Sequence, residues 1–156
     1  MLRSADKEYR AELIAIEEAK RRRAMVEKMV KMQIDAAKNK KKIINILNEN
    51  NFSNEDCIMI TRSFIIKAKK LLALSKAFEI NKSIDLTISS AKPPVFWKEK
   101  EITKQQIYKW KSKDIKKLIY KLSEIEYLIK KENKNSLNIV TDFILDQSSN
   151  RVNNLA

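Results

Sequence analysis

Apolar positions recur at helical spacing along almost the whole chain. The clearest case lies between Ser112 and Lys131. Ile115, Leu118, Ile119, Leu122, Ile125 and Ile129 follow one face there, and Lys116, Lys117, Lys121, Glu124 and Lys131 occupy the other. Ser112 is placed to cap this helix, with Asp114 in its first turn. Upstream, Ser53 can cap a helix that runs to about Ile80, with Glu55 and Asp56 where the helix dipole favours acids. Ile58, Ile65 and Leu72 recur along it, and Phe64, Ile66, Ala68, Leu71, Ser75 and Phe78 fill the neighbouring rows. A helix apolar over so much of its circumference is central and touches several others.

Shorter elements fill the rest. A helix from Asn39 to Asn48 carries Ile43, Ile44, Ile46 and Leu47, and the pair Asn50-Asn51 is suited to end it in the left-handed conformation. Asn81 is expected to close the Ser53 helix. Ser83 opens a short helix through Ser90, with Ile84 and Ile88 on one side. Then comes the stretch SSAKPPVFWKEK, which holds the only two prolines, Pro93 and Pro94. A helix arriving from the N-terminal side must stop near Ser90, and Pro94 can sit in the first turn of the next. Pro93, Pro94, Phe96 and Trp97 thus predict a corner between helices, with the aromatic rings anchored in the core. A helix from Phe96 to Trp110, with Ile102, Gln106, Ile107 and Trp110 on one side, leads to the Ser112 helix. After a turn at Glu132 to Asn135, a last helix from Ser136 to about Asp146 turns Leu137, Val140, Phe143 and Ile144 inward.

The two ends read differently. From Ser4 to about Lys38 one long helix is expected, with Asp6 and Glu8 in its first turn. Its stripe of Leu13, Ile16, Met25, Met29, Met32 and Ala36 is thin, and the basic run Lys20 to Arg23 interrupts it. That suits either a solvated helix or a basic helix that meets nucleic acid or a partner. The organisation expected is therefore a basic amphipathic helix over 1–38, an all-α bundle over 39–146 and a polar, disordered tail over 147–156.

Composition sharpens this picture by exclusion. The chain of 156 residues has no glycine and no histidine. Without glycine there is no phosphate-cradling loop, no dinucleotide fingerprint and little provision for tight hairpins, so a β-rich fold is disfavoured. Without histidine the commonest general base and metal ligand are missing. Cys57 is the one cysteine and lies in an apolar helical run, Cys57-Ile58-Met59-Ile60, as a buried structural thiol would. Glu124 and Glu126 face different sides of one helix, Glu99 and Glu101 flank lysines, and the serines fall mostly at caps. The sequence therefore predicts no catalytic residues, no cofactor, no metal and no small-molecule ligand. Lys and Arg number 33 against 20 Asp and Glu, a net charge of +13, which favours acidic partners such as nucleic acid. Lysine dominates, and lysine is the less specific of the two for phosphate. The N-terminal MLRSADKEYR has no apolar signal-peptide core, and no apolar run approaches a membrane span; the expected location is the cytoplasm of a bacterium.

The order of parts carries a resemblance. Arg62, Lys70-Leu71-Leu72, Pro93-Pro94-Val95-Phe96-Trp97-Lys98, Gln106, Trp110, Ser112, Leu122 and Glu126 follow one another as in the C-terminal collar of the delta subunit of bacterial DNA polymerase III, the clamp-loader subunit. The region from Asn39 to Leu145 resembles that collar; Met1 to Lys38 does not match what precedes it. Delta subunits are longer and begin with AAA+-type domains, so the chain resembles a truncated delta lacking the nucleotide-binding and clamp-opening parts. The resemblance implies an assembly module without chemistry of its own, within a complex that serves a DNA-directed DNA polymerase, a nucleotidyltransferase. It implies the tau/gamma and delta-prime subunits as partners, with DNA contact weak or indirect. It also implies an interface on the outward faces of the Ser53 and Ser112 helices, for which Ile66, Lys70, Tyr120 and Tyr127 are the candidates. A basic helical nucleic-acid-binding protein without catalysis is the alternative, and a helical adaptor or toxin-like protein a third.

Overall fold

A computed structural model describes the backbone of residues 4–34 and 36–153 and the side chains of residues 5–24 and 41–147. Its elements are α1 (Ser4–Ile34), α2 (Ala36–Glu49), α3 (Asn54–Asn81), α4 (Ile84–Ser89), α5 (Lys100–Lys109), α6 (Ser112–Lys131) and α7 (Ser136–Asn153). Short 3-10 turns precede α5 at Trp97–Glu99 and α7 at Asn133–Asn135. No strand occurs among the described residues, and the fold is an all-α helical bundle with an N-terminal helix. No described helix is long and apolar enough to cross a membrane.

The chain divides into two compact units, Ser53–Asp142 and Met1–Phe52 with Phe143–Ala156. The unit boundaries fall after Phe52 and after Asp142, and a boundary after residue 38 is the expectation from sequence. In the first unit α3 and α6 form the principal packed pair. Cross-links fix their direction: Arg62 reaches Glu126, while Glu79, further along α3, reaches Ser112 at the start of α6. The two helices are therefore antiparallel. Between them lie Cys57, Ile60, Phe64, Ala68 and Leu71 of α3, and Ile115, Leu122, Ile125 and Ile129 of α6, all buried. Ile88 of α4, Ile107 of α5 and Val140 of α7 complete the unit's apolar interior. In the other unit, Ile43 and Leu47 of α2 and Phe143 and Ile144 of α7 are buried.

Capping explains where α3 begins and ends. The Ser53 hydroxyl accepts from the Asp56 backbone N–H at 3.2 Å, and Asp56 Oδ2 accepts from the Ser53 N–H at 2.9 Å. Two donors with no intrahelical acceptor are thereby satisfied, which lets Asp56 be buried. At the other end Lys82, not Asn81, adopts the left-handed conformation, at φ 57° and ψ 5°. Its N–H closes on the Phe78 carbonyl at 2.9 Å. Lys82 is the one positive-φ residue among those described, so Asn50-Asn51 does not use that conformation. Asn50 instead donates its side-chain amide to the Ile46 carbonyl at 2.8 Å.

Three further expectations are corrected. Lys111, not Ser112, is the N-cap of α6; Ser112 is the first helical residue and buries its hydroxyl against α3, 2.5 Å from Glu79. Pro94 lies outside any helix, because the 3-10 turn starts only at Trp97. The last helix continues past Asp146 to Asn153, where a disordered tail is expected; residues 154–156 lie outside the described set. Polar composition permits a helix there once Phe143 and Ile144 anchor the turn before it.

Candidate assembly interface

α4 ends at Ser89, its Ser90 cap N–H bonds the Leu86 carbonyl at 3.0 Å, and residues 91–96 are non-helical across a cis Lys92–Pro93 peptide. Pro93 and Pro94 are both exposed. The aromatic rings, however, are not core anchors. Phe96 is 56% and Trp97 68% exposed. Trp97 stacks obliquely on Phe96 at 6.0 Å, and the Lys98 ammonium lies 5.1 Å from the indole centroid. Both rings face solvent, while Ile88 and Ile107 of the flanking helices are buried. Ion pairs hold the corner instead: Lys67 of α3 reaches Glu99 at 3.7 Å, and Lys104 of α5 reaches Asp85 of α4 at 2.9 Å. The Asp85 hydrogen bond holds the Lys104 ammonium above its ordinary pKa. Trp110 is half-buried, and the Phe78 and Tyr108 rings meet edge to face at 5.5 Å.

The outward face of α6 carries the aromatic surface. Tyr120 is 71% and Tyr127 65% exposed, and with Ser123, Glu124 and Leu128 they line a shallow groove. The spacing explains the grouping: positions 120, 123, 124, 127 and 128 lie on adjacent turns of one helix side, opposite the buried Ile115, Leu122 and Ile129. Lys113, Lys116, Lys117 and Lys131 surround it and are exposed. Ile66 and Lys70 are exposed on α3, and neither lines this groove. The four candidate residues are therefore all on the surface, but the groove brings together only the two tyrosines. Leu128, which the sequence reading did not single out, is the apolar addition; its offset from the Ile125–Ile129 row was the available signal.

Between groove and core lies an ion triad. Glu126 Oε1 accepts from Lys130 Nζ and from Arg62 Nε, each at 2.8 Å. These two hydrogen bonds, that from Lys130 first, hold the carboxyl below its ordinary pKa. The triad ties α3 to α6, whose roll is set by the buried row of Ile115, Leu122, Ile125 and Ile129.

Chemistry is sparse at this face. Burial, and then the charge of Asp56, push the Cys57 thiol up to about 11, so it is protonated at neutral pH and shielded from reagents. Among the described residues no group of three or more acids and cysteines is placed to hold a metal ion. The arrangement offers aromatic and aliphatic surface beside Glu124 and exposed lysines of the same helix. The chain matches no family model, no curated protein and no solved structure.

Proposed function

We propose that the helical region over 39–146 is an assembly module that docks a protein partner on the outward face of α6. The observation that supports this reading is the exposure of Tyr120, Tyr127 and Leu128 together on one groove, on a helix whose other face is fully committed to the core. Tyrosines make effective interface anchors because they bury much area at little conformational cost and keep a polar tip. The resemblance of the chain's ordered motifs to the delta-subunit collar supplies the class of partner: clamp-loader subunits of the tau/gamma and delta-prime kind, with this chain contributing assembly and not catalysis.

The test is co-expression with the tau/gamma and delta-prime subunits, followed by co-purification. The native chain is expected to co-purify, and Tyr120→Glu with Tyr127→Glu to abolish capture while the far-ultraviolet circular dichroism stays helical. A folded native chain that captures neither subunit overturns the reading. The alternative, a nucleic-acid-binding protein without catalysis, is favoured by one observation: the lysines around the same groove, within a chain of net charge +13.

A further inference from the structure

The N-terminal helix presents a surface that the docking face does not involve. Every described side chain of α1, residues 5–24, is exposed, including Tyr9, Leu13 and Ile16. An uncovered helix of this kind is marginal in water, since most helical stability in proteins comes from packing one face. Of the large apolar residues in this described part, Tyr9, Leu13 and Ile16 share one side of the helix and Ile14 lies off it. Positions 6, 9, 13, 16, 20 and 23 follow the alternating spacing of three and four that keeps a seam on one side of a helix. They read Asp6, Tyr9, Leu13, Ile16, Lys20 and Arg23: two aliphatic residues at the centre, acid at one end and base at the other.

We propose that α1 pairs with α1 of a second copy of this chain, antiparallel, with Leu13 opposite Ile16. That register is self-complementary at every layer of the seam. Leu13 meets Ile16 twice at the centre. Tyr9 meets Lys20, which places an ammonium beside an aromatic ring. Asp6 meets Arg23. On one flank Arg10 meets Glu17, which within its own helix pairs with Arg21 at 3.9 Å. A parallel pair would set Asp6 on Asp6, Lys20 on Lys20 and Arg23 on Arg23, and would bring Glu12 to Glu17; like charges at such positions oppose pairing.

The distribution of charge along the helix points the same way. Asp6, Glu8, Glu12, Glu17 and Glu18, with Lys7 and Arg10 among them, precede the cationic run Lys20 to Arg23. The helix macrodipole does not account for that run, because α1 continues to Ile34 and the dipole acts only within the terminal turn. Antiparallel pairing does account for it, by laying the acidic half of each helix along the basic half of the other. The acids of this segment nearly balance its bases, which suits a second copy better than a polyanion. The seam from Asp6 to Arg23 spans about 27 Å at the helical rise of ~1.5 Å per residue. With two apolar layers and two aromatic–cation layers, the dimer is a weak and concentration-dependent one.

Sedimentation equilibrium of the full chain and its charge-swapped variants tests the pairing. The native chain is expected to show a monomer–dimer equilibrium. Asp6→Arg alone and Arg23→Asp alone each turn two attractive pairs per dimer into repulsive ones, and each should raise the dissociation constant about tenfold. The double variant should return it to the native value. Cysteine pairing checks the direction independently of affinity: a mixture of Asp6→Cys and Arg23→Cys chains should cross-link, and Asp6→Cys chains alone should not. A native chain that is monomeric at all concentrations overturns the proposal. So does a dimer that the single swaps leave unchanged or the double swap fails to restore, which would place the contact on another surface or in the parallel sense.

Discussion

Glu126 takes hydrogen bonds from cations on two helices, Arg62 of α3 and Lys130 one turn further along α6. Its carboxyl is held below the ordinary glutamate value of about 4.3. In the unfolded chain it would bind a proton at higher pH than in the fold. Its contribution to stability is therefore complete above the ordinary value and is lost as pH falls through the lowered one. Glu126→Gln should cost about 0.5–1 kcal/mol at neutral pH, discounted because Arg62 and Lys130 are both half or more exposed. The variant should also lose part of the acid limb of the stability profile, read by urea denaturation between neutral pH and about 3. An acid limb identical to that of the native chain would mean that the triad is solvated in solution. Trp97 gives a second prediction at this scale. At 68% exposed it has little to lose, so Trp97→Ala should change stability by less than about 0.5 kcal/mol. An aqueous quencher should also reach Trp97 more readily than the half-buried Trp110, a comparison made on Trp97→Phe and Trp110→Phe chains. A loss of several kcal/mol on Trp97→Ala would return the ring to the core.

At the scale of the element, the absence of glycine has a local consequence. α3 ends in a left-handed residue whose N–H satisfies one of its last carbonyls, and that residue is Lys82. A side chain with a Cβ strains there, by about 1 kcal/mol or more. Lys82→Gly should relieve the strain and, after its own entropic cost in the unfolded chain, raise stability by roughly 0.5 kcal/mol. Thermal unfolding at matched concentration measures this, and a clear destabilisation would show that the cap is not left-handed in solution. The N-terminus of the same helix is the contrasting case. Ser53 and Asp56 form their reciprocal cap from neighbouring residues alone, and both were recognisable by spacing. Ser112 has the same side chain and the same position before an apolar run, yet its hydroxyl turns to Glu79 of α3. A local competition between cap and tertiary partner is decided by what stands opposite.

For the molecule as a whole, net charge +13 is the quantity with the broadest reach. Lysines scattered over several helix faces bind polyanions through counterion release. Affinity for a DNA duplex should accordingly be weak and indifferent to sequence. If about six phosphates are engaged, it should fall by roughly three orders of magnitude between ~50 and ~200 mM salt. Fluorescence anisotropy with two unrelated duplexes over that range measures it. Binding that persists at high salt, or prefers one duplex, would favour nucleic acid over protein as the partner of the α6 face.

The amino-acid sequence by itself determined the helices and most of the inward residues. Ile115, Leu122, Ile125 and Ile129, and Val140, Phe143 and Ile144, are buried as their periodicity requires, because a face apolar at helical spacing has one way to leave water. The proline break was legible for the same local reason: a residue with no N–H stops a helix wherever the chain goes next. Tertiary structure alone decided which large apolar residues the core would accept. Phe96 and Trp97 have the composition of anchors and lie outside, while Thr61 and Ser75 lie inside. Burial depends on the volume left between packed helices, and near the corner Ile88 and Ile107 are buried while the two rings are not. The same holds for the candidate site. Spacing put Tyr120 and Tyr127 on one side of their helix, but their exposure depends on the roll of α6 against α3. The buried row of α6 sets that roll, and Arg62–Glu126 and Ser112–Glu79 add contacts between residues far apart in the chain whose pairing no local pattern records.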